Sequence, residues 1–183
     1  KDYKGYQNLM KLVTHGYLEG FYYRPRIDIE LLQKYNEGLI CLSGCLKGEI
    51  PERMLKDDWN GAKEAALRFS EIFPDRFYLE IQNHGIPDEE QNIKNIKKLS
   101  SELDIPMVCT NDAHYAKHEH WEAHDVHICL GTGKDRNDPN RLRYATPEFY
   151  FKSQDQMFEL FKDIPGAIEN TRKIADSIEI EIP

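Results

Sequence analysis

The sequence predicts an α/β fold built on a parallel sheet, and two observations carry that prediction. Residues 38–42, 76–81 and 107–110 are short apolar runs with the length and content of buried strands. Residues 59–73 and 88–103 lie between them and have the apolar spacing of amphipathic helices. Strand, helix, strand, helix, strand at these intervals means βαβ units, hence parallel strands with right-handed crossovers. Three strands are too few to close a barrel, so they are expected to form a consecutive arc of one.

The elements follow in order. Residues 8–17 carry Leu9, Met10, Leu12, Val13 and Tyr17 at helical spacing, and Gly20 and Pro25 end that helix. Asp28 is placed to cap a short helix over 29–35. The 38–42 run, bounded by glycines, is expected to be a buried strand. On the 59–73 helix, Ala62, Ala65, Ala66, Phe69, Ile72 and Phe73 share the apolar side. On the 88–103 helix, Ile93, Ile96 and Leu99 do so.

Past residue 117 the alternation stops. A helix is expected over 117–130, then a polar loop over 131–143, then a short strand or extended stretch over 149–152. Two helices follow, 153–161 and 166–177, the first opened by Ser153 and Gln156 as a capping box. Residues 178–182 alternate and read as an edge strand or a linker. There is no internal repeat and no low-complexity segment.

At 183 residues, 40% hydrophobic and 31% charged, the composition is that of one ordinary globular domain. No apolar run has the length of a transmembrane helix and no signal peptide opens the chain. The chain opens on Lys1 without a disordered leader, which reads as a piece of a longer polypeptide. The four cysteines are scattered, with no CxxC pair, and suit reduced thiols in the cytoplasm. A net charge of −8 argues against a globally basic nucleic-acid clamp and leaves room for a local basic face.

The most telling stretch is Thr110-Asn111-Asp112-Ala113-His114-Tyr115, just past the third strand. Residues two apart on extended backbone point the same way, so Asp112 and His114 are a carboxylate and an imidazole side by side. That is half of a metal site at a strand end, where barrels place their chemistry. The alternative is that Asp112 caps the next element and His114 packs. Cys45 ends the first strand at the same level, as a thiolate ligand or as a small turn residue. Glu80 and His84 end the second strand, behind such a site or in its loop. His15, alone on a largely apolar helix, reads as a packing residue.

Five of the seven histidines fall between 114 and 127, with His120, His124 and His127 on one helix face, read as a polar face rather than ligands. Arg136, Arg141 and Arg143 with Lys134 make a local basic loop, and Arg141 and Arg143 are candidate phosphate contacts. Interleaved Asp135 and Asp138 also fit a solvated loop. There is no glycine-rich phosphate loop, nucleophile elbow or His-Glu-x-x-His helix.

Taken together, several segments resemble one family. They are Asn8-Leu9 through His15 followed by Glu19-Gly20-Phe21-Tyr22 with Pro25-Arg26-Ile27-Asp28, then Leu42-Ser43-Gly44-Cys45 with Gly48-Glu49-Ile50, and Glu80-Ile81-Gln82-Asn83-His84-Gly85. The Thr110–Tyr115 stretch and Asp138-Pro139-Asn140-Arg141 complete the set. The chain resembles the PHP (polymerase and histidinol phosphatase) domain of the bacterial C-family replicative polymerases, the polymerase III alpha subunits. The resemblance implies a distorted seven-stranded (β/α) barrel of which residues 1–152 are the carboxyl-terminal part. Residues 153–183 would lead toward the polymerase palm, whose catalytic carboxylates lie outside this chain.

It further implies a trinuclear site of zinc, manganese or magnesium with nine ligands. Four of them correspond to His15, Cys45, Asp112 and His114, so the resemblance lifts His15 from packing residue to ligand. The other five would precede Lys1, and the chain alone is expected to lack nuclease activity. An intact site implies 3′–5′ exonuclease activity, with metals acidifying a bridging water and stabilising the leaving oxygen. A degenerate one implies a scaffold that steadies the polymerase or docks a proofreading subunit. DNA and replisome subunits are the implied partners, with no membrane. Exposed barrel edges lead to the expectation of a homodimer. A free-standing PHP phosphoesterase is the remaining alternative, disfavoured by the Asp138–Arg141 loop and the tail after Gly166.

Overall fold

The computed structural model describes residues 1–164 and 166–182. Its elements run α1 (Tyr3–Leu18), α2 (Ile29–Lys34), β1 (Cys41–Leu42), α3 (Glu49–Leu55), α4 (Trp59–Ile72), β2 (Phe77–Ile81), α5 (Pro87–Leu103) and β3 (Met107–Cys109). A 3₁₀ turn (His118–His120), α6 (Trp121–Thr132), α7 (Gln154–Phe161) and α8 (Ala167–Asp176) complete the chain. The strands form one sheet in the order β1-β2-β3, parallel throughout. The βαβ reading therefore holds for the sheet's order and direction.

β2 is central, and its alternation decides which face is buried. Phe77, Leu79 and Ile81 point into the core, while Tyr78 and Glu80 are half-buried on the other face. Against the buried residues pack Ala62, Ala65 and Ala66 of α4 and Ile96 and Leu99 of α5. Small alanines let α4 lie close against α3, while the branched side chains of α5 fill the volume next to β2. Phe161, Ile164 and Ala167 join the same core. α8 is also tied to β3 by polar bonds: Asn170 Nδ2 donates to the Met107 carbonyl at 2.8 Å and the Thr171 hydroxyl to that of Cys109 at 2.9 Å. The stretch from 153 onward thus shares the core of the sheet. That stretch also contains Pro165 and Pro183, which lie outside the described residues.

Four local expectations need correction. The 38–42 run is a strand only at Cys41–Leu42, and Leu42 is 37% exposed rather than buried. β1 has a neighbour on one side only among the described residues, so its outer edge is open. Helix α3 lies where the sequence reading places no element, and Gly48 offers it no side-chain cap. Pro51 falls in the first turn, where a missing N–H costs nothing, and Ile50 and Met54 bury one face. The helix expected from 117 begins at Trp121 after the 3₁₀ turn and runs on to Thr132, closed by Gly133 in the left-handed conformation. Residues 178–182 form no strand; instead the Glu179 N–H donates to the Lys1 carbonyl at 2.8 Å.

Elsewhere the local chemistry is as expected. The Asp28 side chain accepts from the Leu31 N–H and caps α2, and Ser153 with Gln156 closes a full capping box on α7. Residues 149–151 run extended beside 114–115, joined by a single parallel bridge between Tyr115 and Tyr150. α1 is held to the turn before β1 through a backbone contact: a Cβ on Gly5 would lie 2.1 Å from the Gly38 carbonyl oxygen. Among the described residues, no helix is long and apolar enough to cross a membrane.

Candidate functional site

The carboxyl ends of the three strands are stitched together by Glu80. One carboxylate oxygen accepts the Gly44 N–H at 3.1 Å, in the loop after β1, and the other accepts the Thr110 hydroxyl after β3. Gln82 Nε2 donates to the same oxygen and to Thr110 Oγ1, at 3.3 and 3.0 Å. Ser43 Oγ in turn accepts the Glu80 N–H at 2.8 Å. One half-buried carboxylate therefore fixes the residues just before Cys45 and just before Asp112. Gly44 has φ +81°, a left-handed turn that leaves Cys45 exposed.

Asp112 and His114 do stand together. His114 Nε2 lies 3.0 Å from an Asp112 carboxylate oxygen, and both side chains are partly open to solvent. The His114 N–H donates to the Phe149 carbonyl at 2.8 Å. The Tyr144 hydroxyl sits 3.0 Å from His114 Nδ1, and burial together with the negative charge of Asp112 holds that phenol above its usual range. The ring of His124, on α6, lies 5.9 Å from that of His114. Burial, then the neighbouring His114 and His127, pushes the His124 imidazole below its usual range.

Behind this pair His84 is almost wholly enclosed, with its ring flat on that of Phe149 at 4.4 Å. Its Nδ1 meets the Glu89 carboxylate at 2.8 Å and its Nε2 meets the Asp112 N–H at 3.3 Å. Both residues expected behind the ligands, Glu80 and His84, thus contact the loops that carry Cys45 and Asp112.

The other candidates are placed differently. His15, on α1, is held by Glu19 at 2.9 Å and stacks on Tyr35 at 5.8 Å, neither of which belongs to the strand-end cluster. Arg141 differs from an open phosphate contact. Its guanidinium grips the Asp125 carboxylate through two bonds of 2.6 and 2.7 Å and donates to the Arg136 carbonyl at 2.9 Å. With its side chain 3% exposed, Arg141 ties the 136–143 loop to α6. Arg143 stays exposed and donates to the Arg136 carbonyl at 3.0 Å. All four cysteines are free thiols, and burial pushes the Cys41 thiol up to about 11.

Among the described residues, no group of three or more His, Cys, Asp or Glu side chains is arranged to hold a metal ion. A catalytic zinc takes three protein ligands and a structural one four. Asp112 and His114 supply two donors, so the described residues do not by themselves complete a metal centre. Sequence reasoning missed Glu89, Tyr144 and His124 as neighbours of the site. The sequence reads His124 as part of a polar helix face; in the fold its ring lies beside those of His114 and Tyr144.

Similarity to known proteins bears on this geometry. Residues 1–84 match the family described as PHP domain. Across 98% of its length the chain is 48% identical to the DNA polymerase III subunit alpha of Borreliella burgdorferi. The resemblance to the PHP domain of bacterial polymerase III alpha subunits holds. Across its whole length the chain is 47% identical to the protein of that name from Campylobacter jejuni and 39% identical to that from Thermus aquaticus. It spans about a sixth of the length of these relatives, covering 16%, 16% and 15% of them respectively. The PHP match ends at His84, whereas the similarity to polymerase III alpha subunits continues through Asp112, His114 and α8.

Proposed function

We propose that this chain is the PHP-domain segment of a DNA polymerase III alpha subunit, the template-directed polymerase of bacterial replication. In this reading Asp112 and His114 belong to a divalent-metal site for 3′–5′ hydrolysis of DNA. The observation that carries it is the Asp112–His114 pair at the carboxyl end of β3, in a chain similar to polymerase III alpha subunits from end to end. Cys45 stands at the same end of β1 and is the third ligand. His15 is the fourth that the resemblance implies, and recruiting it requires its bond to Glu19 to open. The remaining ligands come from outside this chain. The sheet is read as an arc of the distorted seven-stranded barrel, supported by its parallel order with helices between strands. Residues 153–183 are read as the connection toward the palm. Zinc, manganese or magnesium would be the metal, DNA and other replisome subunits the partners, and the bacterial cytoplasm the location. The exposed apolar face of α1 is where self-association of the isolated chain is expected.

A second reading is a non-catalytic scaffold that steadies the polymerase or docks a proofreading subunit. What favours it is the placement of His15, tied to Glu19 and stacked on Tyr35 apart from the Asp112–His114 pair. Elemental analysis separates the two, on the tag-free chain alone and within the polymerase, with Asp112→Asn alongside. Metal held in the polymerase and lost on substitution, together with removal of 3′-labelled nucleotides, supports the hydrolytic site. A folded polymerase without bound metal sinks it in favour of the scaffold. The chain alone is expected to show no nuclease activity.

A further inference from the structure

We propose that Glu89 and His84 form a buried positioning pair that sets where the Asp112 carboxylate and the His114 imidazole stand. The ligand role of those two residues rests on the reading above; the positioning itself rests on geometry.

Glu89 lies in the first turn of α5, with residue exposure of 4%, and both its oxygens accept hydrogens from the same residue. One takes the His84 N–H at 2.6 Å and the other faces His84 Nδ1 at 2.8 Å. An ionised carboxylate only accepts, so the proton of the imidazole sits on Nδ1. Nε2 is then a bare lone pair, and it accepts the Asp112 N–H at 3.3 Å. These contacts are mutually consistent in that one tautomer. The negative carboxylate is also well placed at a helix amino end, beside Asp88 and Glu90.

The same ring lies flat on Phe149 with an interplanar angle of 2°. The Thr146 hydroxyl donates to the His84 carbonyl at 2.5 Å and holds the other side of the loop. Phe149 in turn accepts the His114 N–H through its carbonyl at 2.8 Å. The stacked pair His84–Phe149 therefore holds the backbone amides of Asp112 and His114. The exposed carboxylate and imidazole stand on a frame whose polar atoms are buried and paired. A shape-matched apolar filling would serve stability as well or better. A buried carboxylate–imidazole pair aimed at one amide specifies position instead, as outer partners of metal ligands do.

The test uses the full 183-residue chain with His84→Phe and Glu89→Leu together. Removing both polar partners at once keeps the volume filled and leaves no buried charge unpaired. Amide hydrogen exchange by NMR is read at Asp112 and His114, with Leu79 in the core as the reference. Exchange at Asp112 is expected to rise tenfold or more with Leu79 unchanged. Ring nitrogen shifts of the unsubstituted chain are expected to place the His84 proton on Nδ1. Unchanged protection of Asp112 in a folded double variant, or a proton on Nε2, overturns the proposal. If the double variant does not fold, Glu89→Gln reads the same amides, because a carboxamide accepts only one of the two His84 hydrogens. Titration of the polymerase with Mn²⁺ adds a readout that a merely structural role would not move. Affinity is expected to fall about tenfold in the variant at unchanged thermal stability. If the unsubstituted polymerase takes up no Mn²⁺, the metal reading fails, while the exchange result still decides the positioning pair.

Discussion

The two flanks of the sheet are built differently. Where α4, α5 and α8 meet β2 and β3, Ala62, Ala66, Leu79, Ile81, Ile96, Leu99 and Ala167 are 0% exposed. Where α1 meets β1, Leu9, Val13 and Tyr17 are 48%, 51% and 58% exposed, along an apolar groove of about 510 Å³. α1 is fastened chiefly at its start. The Asp2 carboxylate caps Gly5, Asn8 Nδ2 donates to the Glu37 carbonyl at 2.9 Å, and Gly5 abuts Gly38. The strand-end pair Asp112–His114 is supported from the dense flank, through α5 and residues 144–149. His15 rides on the sparse one. Residues that the resemblance groups as ligands, Asp112 and His114 on one side and His15 on the other, thus stand on supports of unequal packing.

The largest expected effect tests the contrast directly. Leu79→Ala is expected to cost about 4 kcal/mol, while Val13→Ala is expected to cost less than about 0.5 kcal/mol. Urea unfolding of both variants checks this, and equal losses would erase the distinction. Next comes Gly5→Ala, whose Cβ would fall on the Gly38 carbonyl at 2.1 Å. A loss of about 2 kcal/mol is expected from that overlap. Amide exchange is expected to rise in α1 and stay slow in β2; loss of protection in both would join the flanks into one unit.

A smaller effect asks whether α6 belongs to the secure part. Bonds from Arg141 hold the Asp125 carboxyl below its usual range, against the opposing effect of burial. With the folded value below the unfolded one of about 3.9, the stabilisation is present above the unfolded value. It is lost as pH falls through the folded value. The urea midpoint of the unsubstituted chain is expected to exceed that of Asp125→Asn at pH 6, with the gap closing toward pH 2.5. A gap that widens on acidification would contradict the ion pair. The smallest effect is Tyr144→Phe, expected to cost less than about 1 kcal/mol. His114 would lose its Nδ1 partner and keep Asp112, which its ring resonances report. A collapse of the Asp112–His114 contact would mean that the site hangs on Tyr144 rather than on the strand end.

Much of this was legible from short-range patterns. β2, α4 and α5 follow from period and length, because each buries one face over several turns or pleats. The Asp112–His114 pair follows from spacing alone, since two residues apart on extended backbone suffices. What the sequence could not tell is set by long-range return of the chain. Glu89 lies only five residues from His84, yet its role depends on the loop after β2 turning His84 back onto the first turn of α5, which no period marks. Tyr144 and His124 reach His114 across at least ten residues of separation, so no local period connects them. The same blindness made Arg141 look like a free cation, when Asp125 sixteen residues earlier neutralises it. β1 was over-read for the opposite reason: its apolar run is real, and the open edge beside it leaves that run half in solvent.

The bond from the Glu179 N–H to the Lys1 carbonyl brings entry and exit of the described fold to one spot. Residues 1 and 179 therefore lie at the same point of the surface. By the same geometry, a short linker can join residue 182 to Lys1 while new ends are opened at the exposed Lys134–Asn137 turn. A circularly permuted chain made that way should keep the sheet order β1-β2-β3 and the Asp112–His114 contact.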